Sequence, residues 1–293
     1  MKYFILYNPL SGKGGAKARA EELKNAFGDG AVAVDMTKIN SYAELFADIG
    51  EDDAVVICGG DGTLNRFAND IAELDLKCDI LYAATGTGND FLADLGKSID
   101  DMPFSVKKYI TDLPEVTVKG KKYRFINGIG FGIDGYCCEE GDKQKAENPG
   151  APVNYTGIAI KGLLGKFKPA NGKVVVDGVE KSFKRIWIAA AMQGRYYGGG
   201  MMCAPEQDRL AEDGMNTLVV WHGSGKLPTL MAFPSIFKGE HIKKTKMIAV
   251  MKGHEISVEF EKPCALQIDG ETVLGVTGYT VKSSAVIREK AEV

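Results

Sequence analysis

Val55-Val56-Ile57-Cys58-Gly59-Gly60-Asp61-Gly62-Thr63-Leu64-Asn65 decides the fold. An apolar run of strand length ends in two glycines, an acid, a third glycine and a hydroxyl. Helix-compatible residues follow, from Arg66 to Ala72. The reading is a buried strand, a tight turn and a new helix. Backbone without Cβ atoms packs close to a guest there and presents its N–H groups. The helix N-terminus adds a positive dipole end, so an anion such as phosphate suits the turn. Asp61 does not belong in a bare anion cradle. It makes sense if a metal cation or a sugar hydroxyl is also present. Alone, a Gly-Gly-x-Gly turn is as often a plain tight turn as a site.

The flanking chain supports a site. Tyr3–Tyr7 is a short β-prone run followed by Asn8-Pro9-Leu10-Ser11-Gly12-Lys13-Gly14-Gly15, where Pro9 and the glycines force a turn. Ala16–Phe27 reads as an amphipathic helix. This is a second strand–glycine turn–helix unit, but it lacks the P-loop spacing. Ala31–Met36 reads as a strand with Thr37 just beyond, Tyr42–Ile49 as a helix, and Leu76–Ala83 as a strand. The last of these ends in Ala84-Thr85-Gly86-Thr87-Gly88-Asn89-Asp90-Phe91. Strands alternating with helices predict a parallel sheet covered on both faces, with ligands outside the carboxyl ends of the strands. Three glycine turns and Thr37 then share one edge, which coincidence explains poorly.

Near Pro114 the texture changes to short β-prone runs separated by turns, among them Glu115–Val118, Lys173–Val176, Arg185–Ala191, Thr217–Trp221, Glu255–Phe260 and Ala265–Ile268. They predict an antiparallel sandwich or barrel-like second domain. Asn154–Phe167 is the main helical interruption, Glu139–Pro149 reads as a polar mobile loop, and Thr272–Ile287 as short strand pieces. Three patches here have a chemical reading: the glycine-broken strand Phe125–Gly135, the acidic turn Ala204–Met215, whose oxygens suit a hard cation, and Gln267-Ile268-Asp269-Gly270-Glu271. Each also has an ordinary reading, since Asp-Gly is a common hairpin turn and acidic loops commonly face water.

At 293 residues the chain holds one large domain or two smaller ones. Lys plus Arg is 36 against 39 for Asp plus Glu, a net charge of -3, which argues against a nucleic-acid partner. Six cysteines without Cys-x-x-Cys spacing read as reduced thiols. Met1-Lys2 leads straight into a strand with no signal-peptide pattern, and no apolar run reaches eighteen residues. The expectation is a cytoplasmic protein.

The order of these patches resembles the diacylglycerol kinase catalytic-domain superfamily, which contains bacterial soluble diacylglycerol kinases and, further away, sphingosine and ceramide kinases. The likeness covers nearly the whole chain. It rests on Asn8-Pro9-x-Ser11-Gly12, Gly59–Asn65, Gly86-Thr87-Gly88-Asn89-Asp90-Phe91, the Leu210–Met215 turn and Asp269-Gly270-Glu271. Gly-Gly-Asp-Gly alone is shared with NAD kinases; the Gly-Thr-x-Asn-Asp-Phe turn and the late Asp-Gly-Glu are more specific to lipid kinases. The resemblance implies an ATP-binding α/β domain over residues 1–114, with a C-terminal return at about 282–293, and a β-sandwich lipid-substrate domain over 115–281, the site lying in the cleft between them.

It further implies residue roles. Asn8, Pro9, Leu10, Ser11, Gly12, Thr37, Gly59, Gly60, Asp61, Gly62, Thr63, Leu64, Asn65, Arg66, Gly86, Thr87, Asn89 and Asp90 fall where the family holds nucleotide. Asp61 and Asp90 are among the acids that organise phosphates, water and Mg2+. Leu210 and Met215 by carbonyl, and Asp213 by carboxylate, match a magnesium turn, with Glu212 alongside leaving the metal-holding acid open. Glu271 matches the general base. Asp269, two residues before it, shares its strand face if the segment is extended and would orient the base or a water. Arg66 is a departure, since relatives often carry Glu there.

The implied reaction moves the γ-phosphoryl of ATP to a lipid hydroxyl, diacylglycerol to phosphatidic acid first, with another lipid or a soluble acceptor such as NAD as the alternative. A non-catalytic nucleotide sensor is a third reading, against which the intact Asp61 and Glu271 argue. A lipid acceptor implies peripheral docking at the inner membrane surface. Lys161–Arg185 has seven basic and two acidic residues among apolar ones, and Phe233–Lys252 mixes lysines with Phe, Ile and Met. Such stretches suit an anionic surface, at about 1 kcal/mol per well-placed charge, though a solvated basic face is the ordinary reading. Exposed sandwich edges are compatible with a homodimer.

Overall fold

The computed structural model describes residues 1–9, 14–86, 89–149 and 151–291. The chain divides into two compact units, Met1–Leu113 and Pro114–Val293.

In the first unit β1 (Tyr3–Tyr7), β2 (Ala31–Asp35), β3 (Ala54–Gly59) and β4 (Asp79–Ala84) form a parallel sheet in the order β2-β1-β3-β4. A two-residue edge strand, β5 (Phe104–Ser105), pairs antiparallel with β4. The helices are α1 (Gly15–Phe27), α2 (Tyr42–Ala47), α3 (Asp61–Asp70), α4 (Asp90–Leu95) and α5 (Lys107–Ile110). All six residues of β3 are buried, which is why this strand reads as a continuous apolar run rather than an alternating one. Ala20 and Leu23 of α1 pack with Ile5, Val56 and Ala83 of the sheet. Ser41 caps α2, its hydroxyl accepting the Glu44 N–H.

The second unit is an antiparallel β-sandwich. Its strands are β6 (Glu115–Val118), β7 (Lys121–Arg124), β8 (Gly128–Gly132), β9 (Ala170–Val176), β10 (Val179–Ile186), β11 (Ile188–Met192), β12 (Asn216–Trp221), β13 (Ile248–Gly253), β14 (Glu255–Ile268) and β15 (Glu271–Lys282). They run in the order β13-β12-β11-β8-β14-β15-β6-β7, with β10 paired to β9 and β9 to β14. β14 is the spine. Its first half pairs with β9 and its last three residues with β8, across register shifts between Glu259 and Leu266. The change of partner bends one strand over a shared core of Phe131, Val174, Val220, Val258, Leu266 and Tyr279.

The helices of this unit are α6 (Ile133–Glu147), α7 (Tyr155–Lys161), α8 (Lys226–Ala232) and α9 (Ser284–Ala291), with a π-helical turn over Gly162–Lys166 after α7. Four expectations change here. Glu139–Pro149 is largely the end of α6, held by Lys143 pairing with Glu139 and Glu140 at 2.9 and 2.8 Å; few of its residues are buried, so no apolar stripe announces it. Thr272–Ile287 is the body of one twelve-residue strand, then a helix. Arg185–Ala191 is split between β10 and β11 at Trp187, just beyond Arg185, whose φ is 52°. The chain end from Lys282, expected to return to the first unit, divides with the second; Ser283 donates its N–H to the His254 carbonyl at 2.8 Å.

Candidate active site

Parallel pairing gathers four turns of the first unit on one edge. Tyr7 pairs with Asp35 and Cys58, and Gly59 with Ala84. Asn8, Thr37, Gly60 and Thr85 therefore leave the sheet close to the same level. Leu10, Ser11, Gly12 and Thr87 lie outside the described residues. Thr37 folds back on its own strand end, its N–H and hydroxyl both donating to Asp35 Oδ1 at 2.9 and 2.7 Å.

Gly59 is required by contact: a Cβ there would lie 2.4 Å from the Thr63 side chain. Gly60 is the extended N-cap of α3, and its carbonyl accepts from the Thr63 and Leu64 N–H groups. Asp61, the first residue of α3, accepts the Phe91 N–H on Oδ2 at 3.1 Å. Phe91 lies in the first turn of α4, where N–H groups lack intrahelical acceptors. One carboxylate thus ties the two glycine turns together. The Gly59 carbonyl strengthens the link, accepting from Thr85 N–H at 2.9 Å and Tyr82 Oη at 3.0 Å. Phe91 and Leu64 are fully buried and fix both helix starts to the sheet.

Two polar atoms in this turn, Thr85 Oγ1 and Asn89 Oδ1, are buried without a hydrogen-bond partner among the described residues. Buried polar groups left so are uncommon and mark a place for a guest. Asn89 is expected from the sequence; Thr85 is not, and its only signal is a hydroxyl directly before Gly86. Asp90 is buried, and Asn65 accepts the Asn69 amide on its own carbonyl and side chain. Arg66 is exposed on α3 and lies close enough to Asp70 to pull that carboxyl down against the burial that raises it.

In the second unit the Asp-Gly-Glu stretch is a two-residue hairpin. Asp269 and Gly270 have φ of 45° and 92°, so the chain reverses and Ile268 faces Glu271 across the ladder. This corrects the expectation that Asp269 and Glu271 share one strand face: two positive φ values separate them. Asp269 instead turns inward. Its Oδ1 accepts from Asn127 and Gly128 N–H, both at 2.9 Å, and its Oδ2 from Ile126 N–H at 2.6 Å. Burial pushes its carboxyl up to about 6, against the pull of those three N–H groups and of Arg209. Glu271 stays exposed at the start of β15. Beside it, Thr272 Oγ1 donates to Asp142 Oδ2 of α6 at 2.7 Å, fixing the hairpin from the other side.

Arg209 joins this hairpin to the acidic turn and was not singled out in the sequence. Its Nη1 donates to the Ile126 carbonyl at 2.9 Å and its Nη2 to Asn127 Oδ1 at 3.3 Å. Only the fold brings residues so far apart to one strand start. The Leu210–Met215 turn follows, reversing at Gly214 with φ 62°. Asp213 Oδ1 accepts the Met215 N–H at 3.0 Å, and Gln207 Nε2 donates to the Met215 carbonyl at 3.0 Å. One exposed carboxylate with main-chain carbonyls is a hard-oxygen donor set, which fits a hard cation completed by water. No cluster of three His, Cys, Asp or Glu side chains suited to a metal occurs among the described residues.

Residues 2–116 match the diacylglycerol kinase catalytic domain, and residues 127–286 match the YegS C-terminal NAD kinase beta sandwich-like domain. The chain is 27% identical over 255 residues to a diacylglycerol kinase of Mycobacterium tuberculosis, covering 83% of this chain and 80% of that protein. It is 25% identical over 279 residues to a diacylglycerol kinase of Bacillus subtilis, covering 91% and 88%. A diacylglycerol kinase crystal structure from Bacillus anthracis superposes with a TM-score of 0.63 at 19% identity, over 97% of this chain and 94% of that one. The chain belongs to the diacylglycerol kinase and YegS-like family of lipid kinases, and it is an enzyme of that class. Membership implies ATP as phosphoryl donor.

Proposed function

We propose that this lipid kinase phosphorylates diacylglycerol, yielding phosphatidic acid. The observation that carries the kinase site is the Asp61–Phe91 link, which joins two glycine turns at a sheet edge where Thr85 Oγ1 and Asn89 Oδ1 are buried without a partner among the described residues. Relatives named diacylglycerol kinase support the acceptor.

Phosphoryl transfer asks for positioning and charge neutralisation more than covalent help. The amides of the Gly59–Thr63 turn and the α3 dipole neutralise phosphate oxygens. Thr37, Asn8, Asn65 and the Thr85–Asp90 turn orient the nucleotide. Asp61 and Asp90 suit a Mg2+–phosphate complex, and Leu210, Asp213 and Met215 suit a second, structural cation. Bound Mg2+ would supply charge neutralisation and order. Glu271 takes the proton from the lipid hydroxyl. Asp269 is a positioning residue: it locks the hairpin that presents Glu271. The acceptor lies in a bilayer, so the enzyme works peripherally at the cytoplasmic membrane face.

Labelled ATP offered with diacylglycerol, other lipid alcohols and NAD reads the acceptor directly. Label in phosphatidic acid is expected; label in another lipid or in NAD alone overturns the acceptor assignment. Mg2+ should raise the melting temperature of the protein without nucleotide, and Asp213→Asn should abolish that rise; an unchanged rise removes Asp213 as a ligand.

A further inference from the structure

One surface of the second unit has an apolar, basic character that its own fold does not use. The π-helical turn that follows α7 lies against α8. The inner faces of these helices enter a core through Ala159, Leu163, Phe167, Ala232 and Phe233. Their outer faces are also apolar. Leu164 is 61% exposed, Leu227 65% and Met231 76%, with Ile160 beside them. Ile160 and Leu164 are four apart, as are Leu227 and Met231, so each pair stands on one face of its helix. Leu and Met held in water on adjacent helices call for a covering partner.

Charge identifies the partner. Lys161, Lys166, Lys168, Lys226 and Lys238, on these helices or in the segments that directly follow them, are all exposed. None of the five is in an ion pair among the described residues. Residues 149–176 and 214–239 contain no Asp or Glu, in a chain whose net charge is -3. A second copy of this acidic chain would need an acid-rich face to meet the lysines. An anionic bilayer supplies the negative headgroups and the apolar layer beneath them at once.

We infer that this helix pair is the membrane-docking surface, with Leu164, Leu227 and Met231 entering the headgroup boundary and the five lysines meeting anionic phospholipid. Of the two basic stretches legible in the sequence, the first supplies Leu164 and three of the lysines and the second supplies Lys238; α8, with Leu227 and Met231, lies outside both. The inference rests on the lipid-acceptor reading, but its test does not require turnover.

Co-sedimentation with phosphatidylglycerol–phosphatidylcholine vesicles is compared for wild type and Leu227→Glu/Met231→Glu. Wild type binds these vesicles and not pure phosphatidylcholine; the variant binds about tenfold or more weakly. Lys161→Gln/Lys166→Gln loses affinity and salt sensitivity together while keeping the apolar residues. Tryptophan emission from the buried Trp187 and Trp221 reports that each variant is folded. Wild-type binding that is absent, independent of anionic lipid, or unchanged in both variants overturns the assignment. So does sedimentation showing a wild-type dimer that Leu227→Glu/Met231→Glu splits, which would make a second copy the occupant. Phosphorylation of a detergent-dispersed short-chain diacylglycerol separates the readings: docking variants keep it, and its absence in wild type counts against the acceptor alone.

Discussion

Glu271 and Asp269 stand two residues apart, yet the fold gives them opposite surroundings. One is exposed at a strand start; the other accepts three backbone N–H groups. Glu271→Gln should cut turnover about 10²- to 10⁴-fold, the scale of general-base catalysis, with ATP affinity unchanged by calorimetry. Near-normal turnover would remove Glu271 as the base. Asp269→Ala strands three N–H donors and should cost about 3 kcal/mol in urea unfolding. Asp269→Asn restores part of that stability. If Asp269 positions Glu271, Asp269→Asn still loses kcat with KM for ATP unchanged; recovered stability with full kcat would make the residue purely structural. The sequence carried both acids, because Asp-Gly-Glu is contiguous. It did not carry Arg209 or Thr85, whose partners are distant in the chain or absent from it.

Elements follow from contact as much as from propensity. The strand-to-helix turns of the first unit were legible because β3 is buried on both faces and its glycines end it abruptly. Helix α6 was not, because its contact with the sheet is made by missing side chains. A Cβ on Gly135 would lie 1.9 Å from the Ala265 carbonyl of β14. α8 was hidden by Pro228, which the first turn of a helix tolerates. Gly135→Ala should therefore destabilise the second unit by on the order of 3 kcal/mol, as overpacking does. Gly62→Ala, where a Cβ meets nothing within 4 Å, should leave stability equal or slightly raised by helix propensity. Thermal denaturation of both variants checks the pair; equal losses would contradict the close approach of α6 to β14.

At the scale of the whole molecule, the division near residue 114 was visible as a change from alternating strands and helices to closely spaced strands. The order of strands in the sandwich was not, because non-local pairing leaves no local mark. Nor does burial of a charge. Asp134 is buried beside Tyr197, whose hydroxyl donates to its Oδ2 at 2.5 Å. Burial pushes the carboxyl from an ordinary 3.8 up to about 7, with that hydroxyl pulling back. The folded state therefore holds this proton more tightly than the unfolded chain. The resulting stabilisation is complete below 3.8 and is lost as pH rises through about 7. Urea midpoints of wild type should fall from pH 5 to pH 8 relative to those of Asp134→Asn. Parallel curves would place the proton elsewhere. No helix among the described residues is long and apolar enough to cross a membrane.

The bent strand β14 sets a timetable for synthesis. The first unit closes from neighbouring segments, so its strands find partners soon after leaving the ribosome. β8 is different: of its two neighbours, β11 arrives within some sixty residues, while β14 is made more than a hundred residues after it. Until then Ile129 and Phe131 have one uncovered flank, and long-range closure is slow. The nascent chain is most exposed to misassembly in that interval, until β14 is made and closes the sheet.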